Sequence, residues 1–201
     1  MHTPSLEDYV NCLERGDLPG VGDLMLASAH KLVKCGADFL ICPDNTIHQA
    51  FSYVEPRSPL PWLHIADVVA DSAAARGFKR LGLTGTRWLV ESDVYPARLE
   101  ARQLECVRPT QSEMIEIDRI IMDELVHGQF KPDSVATFLE LMARMKADGC
   151  DAVILGCTEI PLIVNDANAP LPILDSTRLL AEAALQKAVG DGATTPHDGG
   201  T

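Results

Sequence analysis

Gly36-Ala-Asp-Phe-Leu-Ile-Cys-Pro-Asp-Asn-Thr-Ile-His48 can be laid over Gly149-Cys-Asp-Ala-Val-Ile-Leu-Gly-Cys-Thr-Glu-Ile-Pro161. At an offset of 113 residues the glycine, the aspartate, the apolar run and the polar break after it fall in register. A second echo follows in the same order, Pro59-Leu-Pro-Trp-Leu63 and Pro170-Leu-Pro-Ile-Leu174, at an offset of 111. Two echoes in order describe one plan used twice: helix, Gly-x-Asp, buried strand, polar turn, helix, Leu-Pro strand. Short apolar runs closed by turn residues are what strands buried on both faces of a parallel sheet look like.

Outward from the repeat, short β-branched runs alternate with longer stretches of helical period, so the fold class is α/β. The pattern predicts strands over Phe39 to Cys42, Trp62 to Ile65, Arg80 to Thr84, Leu104 to Val107, Ala152 to Leu155 and Pro172 to Leu174. It predicts helices over Ser5 to Arg15, Val21 to Cys35, Ala66 to Arg76, Ser112 to His127, Ser134 to Ala147 and Ser176 to Ala188. Thr3 and Pro4 read as an N-cap and first-turn proline, and Gly36 and Gly149 as left-handed residues closing helices. The expected organisation is two pseudosymmetric lobes, each a mainly parallel sheet flanked by helices: residues 1–64 with 176–189, and residues 65–175. Residues 190–201, without apolar content, read as a flexible tail. The strand Arg80 to Thr84 has no first-half counterpart, which would fall about 30 residues before Met1. The first lobe is therefore expected to lack its first strand and helix.

A chain of 201 residues that is 46% hydrophobic can bury a real core, which excludes disorder as its main character. Lys and Arg total 17 against 29 Asp and Glu, a formal charge of -12, so nucleic acid and anionic membranes are not expected partners. No apolar run approaches the ~20 residues that cross a bilayer, and no leader is visible, so the reading is soluble and cytoplasmic. Cys12, Cys35, Cys42, Cys106, Cys150 and Cys157 form no CxxC pair, which indicates free thiols rather than a metal knuckle or disulfide scaffold.

In open α/β sheets, ligands bind at the turn from a strand's end into the next helix. Asp44 and Cys157 occupy that turn in the two halves, followed by Asn45 and Thr46 and by Thr158 and Glu159. Good N-caps account for these turns singly. Taken as a pair under pseudo-twofold symmetry, they would approach one bound molecule from opposite sides, as inversion at a carbon requires. Cys157 at a helix start would have its thiolate favoured, below the ~8.5 of a free thiol. Neighbouring N–H groups and the hydroxyls of Thr46 and Thr158 could hold a substrate carboxylate while charge builds on its α-carbon.

These residues resemble the cofactor-independent aspartate/glutamate racemases. The resemblance runs from about His2 to Ala188, through Gly36-Ala-Asp, Asn45-Thr-Ile-His48, Leu60-Pro-Trp-Leu-His-Ile-Ala-Asp67, Gly85-Thr86-Arg87, Asp123-Glu-Leu-Val-His-Gly-Gln129 and Gly156-Cys-Thr-Glu-Ile-Pro161. It implies two α/β lobes with the active site between them, a thiol pair as acid and base, no pyridoxal phosphate and no metal, and a homodimer. It also implies that Thr86 contacts substrate. Three departures matter. Asp44 stands where the family's first cysteine precedes Asn-Thr, with Cys42 two residues earlier reading as a core side chain. The N-terminal strand and its Gly-rich turn are not seen. Val126 stands where some members carry a lysine near the substrate's side-chain carboxylate.

The expectation is thus racemisation of a small amino acid, aspartate or glutamate in the first place, without cofactor. Cys157 is the expected base and Asp44 the opposite-face acid or an orienting group, with turnover asymmetric or impaired. Asn45, Thr46, Thr86 and Thr158 would bind the amino-acid or other carboxylate substrate, with His48 and Glu159 behind them. His48 either tunes the Asp44 carboxyl or is satisfied by local backbone; His64, Trp62, Trp88 and the methionines read as structural. The alternatives are a one-thiol decarboxylase or cis-trans isomerase of related fold, and a catalytically impaired ligand-binding protein.

Overall fold

The repeat is written into the hydrogen bonding of two parallel sheets. The computed structural model describes residues 1–190; the tail expected over residues 190–201 lies, after Gly190, outside the described residues. In the smaller sheet β1 (Leu40–Ile41) pairs with β2 (Trp62–Leu63), Leu40 opposite Trp62. In the larger sheet the order is β4 (Glu105–Val107), β3 (Arg80–Thr84), β5 (Ala152–Leu155), β6 (Ile173–Asp175), all parallel. There Val153 stands opposite Ile173, the residues that the offsets 113 and 111 assign to Leu40 and Trp62. The amide of Leu40 donates to the Pro61 carbonyl at 2.9 Å, and that of Val153 to Pro172 at 2.9 Å. The positive φ of Gly36 (83°) and Gly149 (89°) before β1 and β5 completes the equivalence, since only glycine adopts that conformation freely.

The helices are α1 (Leu6–Glu14), α2 (Leu18–Lys34), α3 (Phe51–Val54), α4 (Ile65–Ala75), α5 (Arg87–Glu91), α6 (Val94–Glu100), α7 (Gln111–Asp123), α8 (Pro132–Ala147) and α9 (Ser176–Gly190). No described helix is long and apolar enough to cross a membrane. The larger sheet is buried on both faces, as alternation along its strands requires. Leu81, Leu83, Ala152 and Ile154 enter one core with Val69, Ala70 and Ala73 of α4, while Val153 and Leu155 enter another with Ile117 and Ile121 of α7 and Phe138 and Met142 of α8. A third core joins α1, α2 and α3 through Tyr9, Met25, Phe51 and Val54. Each such side chain contributes about 1.5–3 kcal/mol by leaving water.

Helices α4 and α9, equivalent under the offset of 111, pack on each other. Their caps are equivalent as well. His64 Nδ1 accepts the Ala66 amide at 3.2 Å, and Asp175 Oδ1 accepts that of Thr177 at 3.0 Å.

Several expectations are corrected. The first helix begins at Leu6, with Ser5 in extended backbone as N-cap, so Thr3 and Pro4 lie outside it. The start of α7 is one residue earlier than read, because Thr110 and Glu113 form a reciprocal capping box. Helix α3 stands where the repeat expects a helix between the Asp44 turn and the Leu-Pro strand, while α5 and α6 were not expected; five to seven residues are too few for a 3.6-residue period to register.

The turns after β3 and β5 meet at glycines. The Gly156 amide donates to the Thr84 carbonyl at 2.9 Å, and a Cβ on Gly156 would lie 2.5 Å from that oxygen. Backbone cannot yield there as a side chain tip can. Gly156→Ala should lower the urea-unfolding free energy by about 1–3 kcal/mol, and an unchanged midpoint would show that the turns are not in contact.

Candidate active site

Three strand ends build one cavity. Asp44 to Thr46 follow β1, Thr86 follows β3, and Gly156 to Glu159 follow β5, so the carboxylates, the thiol and the threonines come from the carboxyl ends of parallel strands. The cavity measures about 110 Å³, enough for several water molecules at roughly 10–15 Å³ each. Asp44 and Cys157, from different sheets, both line it, and the Asp44 carboxylate contributes to raising the Cys157 thiol. The rest of the wall is Leu6, Tyr9, Val10 and Leu13 of α1, Trp88 of α5, Ile121 and Met122 of α7, Val126, and Pro43.

Polar ties across the sheets set the floor. The hydroxyls of Thr46 and Thr86 meet at 2.9 Å. Asn45, buried, donates through Nδ2 to Ser176 Oγ at 2.9 Å and accepts from the Tyr95 hydroxyl at 2.6 Å. Ser176 in turn donates to the Leu155 carbonyl, so Asn45 links the turn after β1 to the end of β5. Its amide thus stands engaged with protein, while Asn45 still forms part of the cavity wall.

Asp44 caps its own turn: Oδ1 accepts the amides of Thr46 at 2.8 Å and Ile47 at 3.3 Å. Those two donors, expected to be open to a ligand, are occupied by protein. Burial pushes the Asp44 carboxyl above its ordinary range; the two amides oppose this and the Glu159 carboxylate adds to it.

Cys157 overturns one expectation. Its Sγ donates to Glu159 Oε2 at 2.9 Å, and the Thr158 hydroxyl donates to the same oxygen at 2.7 Å. Burial, the Glu159 carboxylate and the hydrogen bond to it drive the thiol well above its ordinary value. The element after Cys157 is a single 3-10 turn, Ile160–Leu162, not an α-helix, so no helix dipole offsets these effects. The resting group is a neutral thiol.

His48 bonds the local backbone through one ring nitrogen, while its Nε2 is buried without a hydrogen-bond partner among the described residues. Its Nδ1 lies 2.7 Å from the Asp44 carbonyl oxygen, which only accepts, so Nδ1 carries the proton. Burial, then His64, lowers His48 to about 3 and keeps it neutral. It therefore holds the Asp44 backbone rather than the carboxyl. His64, lowered to about 4 by burial and then by Arg98 and Arg102, caps α4. Cys42 packs against the α1–α2 core and is pushed up to about 12 by burial. Trp88 and Met122, read as packing, line the cavity instead, and α1 was missed entirely as a wall. Among the described residues no cluster of three or more His, Cys, Asp or Glu is arranged to hold a metal ion.

The sequence pattern of the Asp/Glu/hydantoin racemase family matches residues 1–184. A Yersinia pestis protein described as a candidate Asp/Glu racemase superposes with a TM-score of 0.85 at 31% identity, covering 94% of this chain and 82% of its own. An aspartate racemase homologue from Pyrococcus horikoshii OT3 gives 0.79 at 27% identity, with coverage of 94% and 82%. The broad specificity amino-acid racemase RacX of Bacillus subtilis (strain 168) is 23% identical over 163 residues, 80% of this chain and 69% of that protein. Against the glutamate racemases of Thermus thermophilus, the chain spans about half of their length, 46%.

The thiol's state can be read chemically, because only the thiolate alkylates. At pH 7.5 Cys157 should react with iodoacetamide at least tenfold more slowly than exposed Cys35, followed by peptide mass spectrometry. Glu159→Gln removes a negative charge and should speed Cys157 alkylation at the same pH. Equal rates in the two proteins would mean that Glu159 does not hold the proton on sulfur.

Proposed function

The chain belongs to the Asp/Glu/hydantoin racemase family, and on that footing we propose that its cavity inverts an amino acid by removing and returning the α-proton. The observation that carries the reading is the placement of Asp44 and Cys157, equivalent in the repeat, on one small cavity from two different sheets.

The chain's own groups suggest the following steps. A substrate ammonium entering beside Glu159 brings positive charge against the carboxylate that holds the thiol protonated. Cys157 then passes its proton to Glu159, to which it is already hydrogen-bonded. The thiolate takes the α-proton and becomes a thiol again, and the electron pair left on Cα is drawn into the substrate carboxylate. Asp44, drawn toward its acid form by burial, enters the cycle protonated and gives its proton to the opposite face. The cycle closes when Glu159 releases its proton to solvent and Asp44 regains one. Thr46 and Thr86, tied to each other at the cavity floor, and Thr158 are the side chains assigned to the substrate carboxylate. Aspartate and glutamate are the substrates that the family's description names.

A carboxylate is a weaker base than a thiolate, so the two directions differ. Exchange should be fast from the antipode whose hydrogen faces Cys157 and slow from the other.

One observation favours a second reading, decarboxylation: among the described residues Cys157 is the one thiol that lines the cavity, and a neutral thiol suits protonation of a carbanion left by CO2 loss.

Incubation of single antipodes in D2O, read by NMR, tests the assignment. Cys157→Ala should cut Cα deuteration by about 10²–10⁴-fold. Asp44→Asn should keep deuteration of the favoured antipode but lose inversion, and Asp44→Cys should raise two-way turnover. Full exchange in Cys157→Ala would refute the mechanism, and CO2 release from a malonate without amino-acid exchange would favour the second reading.

A further inference from the structure

The cavity's two ends differ in chemistry. Asp44, Cys157 and Glu159 cluster with the threonines at the strand ends, where the α-carbon and its ammonium and carboxylate must lie for proton transfer. The remaining wall is mostly apolar: Leu6, Val10 and Leu13 from α1, Trp88 from α5, and Met122 and Val126; Tyr9 of α1 also lines it, its side chain hydrogen-bonded with Ser28. Among the described residues that line it, none is Lys, Arg or His.

A substrate held by its α-carbon at the strand ends extends its side chain onto that apolar wall. A second carboxylate there would lose its water without gaining a cation, beside the acidic groups of Asp44 and Glu159. An aliphatic or thioether side chain would instead bury apolar surface against Leu6, Val10 and Met122. A cationic side chain fares no better than an anionic one, because both acids are held at the reacting end.

We infer that the substrate of this site is an amino acid with an uncharged, apolar side chain of valine to methionine size, and that aspartate and glutamate are poor substrates. The inference rests on the racemase reading above and adds the side-chain class to it. Leu6 and Val10 become specificity-determining: they touch the side chain, not the reacting atoms.

The experiment measures Cα exchange in D2O for valine, leucine, methionine, aspartate, glutamate and lysine, both antipodes, alongside calorimetric binding of the same set. Leucine or methionine should exceed aspartate and glutamate at least tenfold in exchange and in affinity. Val126→Lys, which supplies a cation on the wall, should move that ratio at least tenfold toward the acidic pair. Aspartate or glutamate turning over and binding as well as leucine would overturn the inference while leaving the racemase reading intact. If nothing exchanges, the racemase reading fails; the binding order alone then supports or overturns the side-chain class. A ratio unmoved in a folded Val126→Lys protein, shown by its circular dichroism, would count against the apolar wall as the side chain's site.

Discussion

The buried side chain of Asn45 is the tie on which the site depends. It is bonded at one end to the Tyr95 hydroxyl and at the other to Ser176, whose own hydroxyl is anchored on the last residue of β5. Without it the turn after β1 would rest on the larger sheet through the Thr46–Thr86 contact and packing alone. Each buried polar group left without its partner costs about 1–3 kcal/mol, so the three residues stand or fall together. Their geometry brings a carboxyl from one sheet and a sulfur from another onto the same space.

Much of this was legible in the chain. The Gly-x-Asp runs and the Leu-Pro strands, read as a repeat, make β1 and β2 the counterparts of β5 and β6, and the pairs Leu40–Trp62 and Val153–Ile173 stand at those offsets. Strands β3 and β5 sit where the apolar runs put them, because burial on both faces leaves little doubt in composition. What was not legible has physical reasons. The Thr110-Gln-Ser-Glu113 cap is a local signal that could have been read and was passed over. The lining by α1 had none: its apolar stripe says that one face is buried, not that Leu6, Val10 and Leu13 face a cavity shared with residues over a hundred positions away.

The charge state of the site was the larger miss. A cysteine before Thr-Glu-x-Pro looks like the start of a helix, and a helix start favours thiolate. The chain instead makes a single tight turn, and the Glu159 side chain folds back onto the sulfur. Sequence alone names the carboxylate but cannot say which way it points. Asp44 runs the opposite course: a residue usually ionised is drawn toward its acid form, because the protein closes around it and only its own turn donates to it. At both equivalent turns the surroundings favour the protonated form, an arrangement that a charged ligand would disturb.

The packing of α4 on α9 has a consequence for the chain as a whole. Because each helix occupies the other's place in the repeat, their seam is isologous, as in a twofold dimer, but closed within a single polypeptide. Val69 and Ala70 of α4 and Leu179 of α9 are buried in one core cluster. A half-molecule carrying one of them would bare a self-complementary stripe, and its simplest remedy would be to pair with another half. Covalent linkage removes that concentration dependence and frees the two strand-end turns to differ, one keeping an aspartate where the other keeps a cysteine.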